Sequence, residues 1–312
     1  MTDRMTRFAK WTPLLLAAVA AAGCSQTTTT EEPETPSVYT TFYPTTYFTT
    51  RIGGEHVKVV CPIPDDEDPI FWQPPAETIA EYQGADLIVV NGADFEKWFK
   101  MVSLPASKVV DTARPFRDGW LKIEGTIGHS HGAGDVHTHE GTDGHTWLDP
   151  NYAKVQAEEI CKALEKLLPD HAEEFRANYD ALAKDLDALH ESLEELTGLL
   201  KEEHLLASHP AYGYPVDRYG WNVTDFDLDP EAVADEETVA VIRTVLAEKP
   251  ARIILWESQP IEETSKLLAD ELGLKSVEFS PCELLSKEEI AAGDYLSVMK
   301  ENIERLSAAL AE

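Results

Sequence analysis

At 312 residues the chain is longer than one small core requires, and two domains of ordinary size are expected. Its hydrophobic content of 43% suits a globular protein. With 57 acidic against 26 basic residues and a net charge of −31, it lacks the basic footprint of a nucleic-acid binder; such a field concentrates cations instead.

Arg4, Arg7 and Lys10 precede an apolar run from Leu14 to Ala22, and Gly23-Cys24-Ser25 follows. The run is too short to span a bilayer and reads as an export signal. It resembles a bacterial lipoprotein signal. That implies an exported protein, in the periplasm or at the cell surface, held to the membrane through a lipid on Cys24. Residues 1–24 are therefore assigned to the signal. Residues 25–37, SQTTTTEEPETPS, form a polar tether with no capacity to pack. Cys61, Cys161 and Cys282 remain, an odd number that permits at most one internal disulfide.

From Val38 short strands alternate with helices. VYTTF (38–42) predicts a strand leading into a helix toward Gly53-Gly54, and VKVVCPI (57–63) predicts a buried strand. A helix over 76–83, a buried strand over 86–91, a helix over 95–101 and a strand over 108–112 follow. Strand–helix alternation argues for a parallel sheet covered on both faces, with ligand sites beyond the carboxyl ends of its strands. Residues 151–167 form one helix. Then Phe175, Tyr179, Leu182, Leu186, Leu189, Leu193, Leu196 and Leu200 alternate steps of four and three, a helical apolar stripe. About thirty residues at 1.5 Å each make a rod of roughly 45 Å.

The alternation resumes with strands over 204–208, 221–226, 251–256 and 276–279, and with helices near Gly220 and over 235–248, 262–272 and 294–310. The expected fold class is α/β, two parallel-sheet lobes joined by a long rigid helix with a site in the cleft. The division is an amino-terminal lobe over 38–150, helices including the rod over 151–200, and a carboxy-terminal lobe over 201–312. Domain junctions favour ligand sites.

The chemistry concentrates in GHSHGAGDVHTHEGTDGHTWLDP, residues 128–150. His129, His131, His137 and His139 come as two H-x-H pairs among Gly, Ala and Asp. Such a stretch cannot bury an apolar face and reads as a mobile accessory loop that collects metal. His145 differs, because Trp147, Leu148, Asp149 and Pro150 restore packing and a helix start just after it. Neutral imidazole suits zinc and other borderline cations. A zinc-type site needs about four donors converging from different loops. His209 follows the strand ending at Ser208. Glu257 and Glu283 each follow a further strand, and spacing alone does not choose between them.

In order, VYTTFYPTTYFTTRIGG, ADLIVVNGADFEKW, GHTWLDP, SHPAYGYPVDRYG, ILWES and GDYLSVMKENIERL resemble the metal-specific solute-binding lipoproteins of bacterial ABC importers, in the zinc-type branch. The resemblance runs from Val38 nearly to the carboxyl end. It implies two α/β lobes joined by a rigid helix, and a metal in the cleft with two ligands from each lobe. Carried over, the second ligand falls on His145 and the third on His209. The fourth falls on Glu283 in an ungapped match and on Ser280, a poor ligand, in a gapped one. The first is a departure: the family's His is replaced by Ile70 in Asp68-Pro69-Ile70-Phe71-Trp72. The expected site is therefore His145, His209 and Glu283. Water or a carboxylate from Asp65, Asp66, Glu67 or Asp68 completes it, Asp68 being the first candidate among them.

The expected function is capture of a divalent transition metal, Zn²⁺ first and Mn²⁺ as the alternative, for delivery to an ABC permease by a monomeric protein that is not an enzyme. The rivals are an extracellular zinc-buffering or adhesion protein without a transporter, and a zinc hydrolase using Glu257 as base. The hydrolase lacks an H-E-x-x-H or comparable signature.

Overall fold

The computed structural model describes residues 35–312 except 66, 124–126, 129–140, 284, 286–289 and 291–292. The signal, most of the tether, Cys24, Asp66 and the paired histidines His129, His131, His137 and His139 lie outside the described residues. Among the described residues no helix is long and apolar enough to cross a membrane.

The first sheet has the order β2-β1-β3-β4, with β1 Ser37–Thr40, β2 Lys58–Val60, β3 Leu87–Val90 and β4 Val109–Asp111, all pairs parallel. β3 is buried throughout, as a β-branched run covered on both faces should be. The strand expected over 57–63 shrinks to three residues at the sheet edge and is partly exposed. Pro62 and Pro64 follow, and neither can donate to a ladder. The helix expected over 95–101 is instead a 3₁₀ turn, Lys97–Met101. The chain leaves β3 through three successive left-handed residues, Gly92, Ala93 and Asp94, and this tight reversal leaves no room for a regular first turn. At Gly92 a Cβ would run into the Asp111 carboxylate.

The second sheet has the order β11-β10-β8-β9-β6: β6 Ile127–Gly128, β8 His204–Ala207, β9 Asn222–Asp227, β10 Ile253–Trp256 and β11 Lys275–Glu278. β6 pairs parallel with β9, so one strand from the amino-terminal half extends the second sheet. β5 (Lys122–Ile123) and β7 (Gly141–Thr142) form a small antiparallel pair.

The helices are α1 Tyr43–Gly53, α2 Ala76–Gly84, α3 Pro150–Leu167, α4 Ala172–Leu200, α5 Gly213–Tyr219, α6 Glu236–Glu248, α7 Glu262–Leu272 and α8 Tyr295–Ala311. α4 is the expected rod. Every stripe residue except Tyr179 is buried. One apolar core runs from Val38 and Ile52 through this stripe to Leu205, Ile253 and Leu306, so the two sheets share a continuous packed interior. Close-packed cores transmit strain rather than flex, which makes the rod a stiff connector. Hydrogen bonds also cross the junction, among them Trp147 Nε1–H to the Pro281 carbonyl at 2.6 Å and Tyr295 O–H to the Trp147 carbonyl at 2.8 Å. The structure joins none of Cys61, Cys161 and Cys282 in a disulfide.

Candidate metal centre

In open parallel sheets a crevice forms where neighbouring strands send their chains in opposite directions. In the second sheet that point lies between β8 and β10. His209 follows β8 and Glu257 follows β10, while Glu283 lies in the turn beyond β11. In the first sheet it lies between β1 and β3. Asn91 leaves β3 there, and its Nδ2–H donates to the Gly144 carbonyl at 2.8 Å, which brings His145 to the same opening. Phe95, from the left-handed reversal, meets the His145 ring edge-on at 6.2 Å between centroids.

His145, His209 and Glu283 each offer a donor atom, and the three atoms lie within 4.8 Å of one another. His145 Nε2 is 2.7 Å and His209 Nε2 is 3.9 Å from the same oxygen, Glu283 Oε1. His145 and Glu283 are buried, and the His209 side chain is 12% exposed, although its Nε2 is buried like the other two donor atoms.

Each imidazole also turns its other nitrogen toward a carboxylate. Asp143 Oδ1 lies 2.7 Å from His145 Nδ1 and also accepts from the His145 backbone N–H at 2.9 Å. Glu257 Oε2 lies 3.5 Å from His209 Nδ1. Carboxylates in this position fix the tautomer that leaves Nε2 for a metal. Asp143 was not among the residues read from sequence. Its signal is the spacing Asp-Gly-His, which lets a carboxylate fold back onto the backbone and ring two residues later. Gly213 in SHPAYGYP now has a reason: its Cβ would strike Asp143 Oδ2. Tyr214 O–H donates to the Asp143 backbone carbonyl at 3.1 Å, so α5 holds the backbone of this residue in place.

Glu283 is delivered by a strained turn. Cys282 adopts φ +63°, uncommon for a non-glycine residue. Asn302 of α8 locks the turn, accepting from the Ser280 N–H at 3.0 Å and donating to its carbonyl at 2.7 Å. Ser280, the gapped alternative, accepts from the Cys282 N–H at 3.2 Å through its hydroxyl oxygen.

Asp68 does not join the three donors either. Its Oδ1 accepts from the Ile70 N–H at 2.8 Å. It nevertheless senses the centre: burial and the Glu283 charge raise its pKa, while the Ile70 N–H and His209 oppose the rise. Ile70 is 6% exposed and packs into the shared core. His204, at the start of β8, sits between the Lys249 carbonyl and Thr224 Oγ1 and is a satisfied core histidine.

Burial alone would push the His145 pKa down. The Glu283 and Asp143 carboxylates outweigh it and raise it from 6.5 to about 10. The metal-free centre therefore holds a proton at neutral pH. A raised pKa means that this proton stabilises the metal-free fold fully below pH 6.5, and that the contribution is lost as pH rises through about 10. A metal must displace it, so apparent affinity should fall as pH drops below that value. Calorimetry of zinc binding in two buffers of different ionisation enthalpy is expected to show release of about one proton per zinc at neutral pH. Asp143→Asn keeps the shape but loses the charge that orients His145; a chelator competition should show roughly 10–100-fold weaker zinc binding.

Two α/β lobes around a His/Glu cluster have counterparts among known proteins. The family profile for ZnuA, the periplasmic zinc-uptake complex component A, matches residues 38–309. A curated relative, the zinc-binding lipoprotein AdcA of Streptococcus pneumoniae, is 30% identical over 278 residues, which cover 86% of this chain and 55% of that protein. This chain thus spans about half the length of that relative. The high-affinity zinc uptake system protein ZnuA of Bacillus subtilis is 29% identical, with 97% of this chain and 98% of that one covered. Among solved structures, the metal-dependent lipoprotein YcdH of Bacillus subtilis superposes with a TM-score of 0.75 at 26% identity, covering 88% of this chain and 98% of that one. The Zn(II)-bound ZnuA-like domain of Streptococcus pneumoniae AdcA also gives 0.75, at 25% identity, covering 89% and 99%. With the profile spanning nearly all of the described chain, this protein belongs to the ZnuA family of periplasmic zinc-uptake components.

Proposed function

We propose that this protein captures Zn²⁺ in the cleft through His145, His209 and Glu283 and delivers it to an ABC permease. The observation that carries this reading is the approach of both histidine Nε2 atoms to one Glu283 oxygen, 2.7 and 3.9 Å away. Three protein donors and one open position are ordinary for zinc, and water fills the fourth. Two imidazoles favour a borderline cation over the harder Mn²⁺. Ile70 supplies no donor where the family's first histidine would stand. The zinc is cargo, so no reaction is asked of the centre. Glu257 faces His209 as an orienting carboxylate, which speaks against its service as a hydrolytic base. The curated relatives named as a zinc-binding lipoprotein and a zinc uptake protein support the cargo, and the former supports the lipid anchor on Cys24.

The paired histidines His129, His131, His137 and His139 are accessory. A chain lacking residues 129–140 is expected to lose weak zinc equivalents in calorimetric titration and keep one tight equivalent. Loss of the tight equivalent in that chain would place the cargo site in the loop and overturn the reading.

A further inference from the structure

A second cluster of metal-binding side chains lies away from the cleft. His56 ends the 3₁₀ turn Gly54–His56 just ahead of β2. His171 immediately precedes α4, and Glu174 lies in its first turn. One donor atom from each lies within 4.8 Å of the other two. His56 Nε2 is 2.9 Å from Glu174 Oε2. The two imidazoles stack with centroids 3.8 Å apart and planes at 25°. Because His56 precedes its strand, the cluster sits at the amino end of the first sheet, whereas the cleft opens where β3 ends.

The cluster is braced rather than loose. Asn178 Nδ2–H donates to the Ile52 carbonyl at 3.0 Å and pins α4 to the end of α1. Phe175, fully buried, backs both imidazoles at 5.9 and 6.2 Å. A surface ion pair between His56 and Glu174 would need neither His171 nor this backing, and such pairs contribute little. Two imidazoles and a carboxylate form a donor set for zinc, nickel or copper, and a poor one for calcium or magnesium, which prefer all-oxygen shells. Glu174 is 54% exposed at the side chain, so water reaches the open side.

We propose that His56, His171 and Glu174 form a second divalent transition-metal site that clips the start of the rod to the first lobe. The site is weaker than the cleft, because solvent reaches its carboxylate.

The test uses the chain lacking residues 129–140, titrated calorimetrically with Zn²⁺ beyond its first tight equivalent, beside His56→Asn and His171→Asn versions. The parent is expected to take one further, weaker equivalent. Each replacement should weaken that equivalent more than about tenfold, and the tight one should persist as proof of an intact fold. Cu²⁺ in the second site should show coupling to two nitrogens by electron paramagnetic resonance, and to one in either variant. The proposal is overturned if the parent takes no further equivalent, or if both variants keep it unchanged. Failure of the cleft reading would instead remove the tight equivalent and leave the dependence on His56 and His171.

Discussion

Replacing His209 with alanine is expected to weaken zinc binding by more than the roughly 10–100-fold typical of changes behind the ligands. The reason is the thinness of the donor set. Three side chains converge, and removing one leaves two, fewer than a structured zinc site uses. His209 is the cleaner choice for replacement. His145 is wholly buried between Glu283, Asp143 and Phe95, so His145→Ala leaves buried carboxylates without their partner and should also lower stability. At 12% exposure His209 can be truncated with less damage to packing. The measurement is a chelator competition at neutral pH, with thermal unfolding of the metal-free variants as control. Wild-type affinity in His209→Ala would remove that residue from the site.

The second large effect is a gain. Ile70→His is expected to tighten zinc binding at least about tenfold by supplying the fourth donor of a tetrahedral set. The backbone there is fixed: Pro69 restricts the approach, the Ile70 N–H is held by Asp68 and its carbonyl accepts from the Lys97 N–H at 3.2 Å. The raised pKa of Asp68, traced partly to Glu283, shows that this turn lies within electrostatic reach of the centre. An imidazole in place of a buried isoleucine also adds a polar group without a partner, at about 1–3 kcal/mol in the metal-free protein. The variant should therefore unfold at a lower temperature than wild type without zinc and recover with it. Unchanged or weaker zinc affinity would mean that the fourth position is already filled or that this turn lies away from the zinc, and the model of three protein donors and an open position would fall.

The rod was legible because its apolar positions step by four and three over seven turns, and tertiary packing agreed with local pattern at every stripe position but Tyr179. His145 and His209 stand out in the sequence because the first lies where polar loop gives way to a helix start and the second just past the end of a strand. The acidic donor was harder. Glu257 and Glu283 both follow strands, and only the locked turn built by Cys282 and Asn302 brings the latter between the two imidazoles. Asn302 lies on α8, and no local pattern links it to Ser280. The turn over 95–101 reads as helix in sequence because left-handed Ala93 and Asp94 carry no sequence signal as strong as glycine. The cluster of His56, His171 and Glu174 was invisible in sequence, since the packing of α1 on α4 creates it and no motif spans it.

In the proposed cleft site one zinc ion sits between His145, His209 and Glu283. Diffraction from crystals of the chain lacking residues 129–140, loaded with one equivalent of zinc and recorded at the zinc absorption edge, tests it most directly. Zinc bound as proposed gives a single strong anomalous peak within about 2.0–2.2 Å of both histidine Nε2 atoms and a Glu283 oxygen, with water at the fourth position. A peak elsewhere, or a fully loaded protein with no peak between these three side chains, would contradict it.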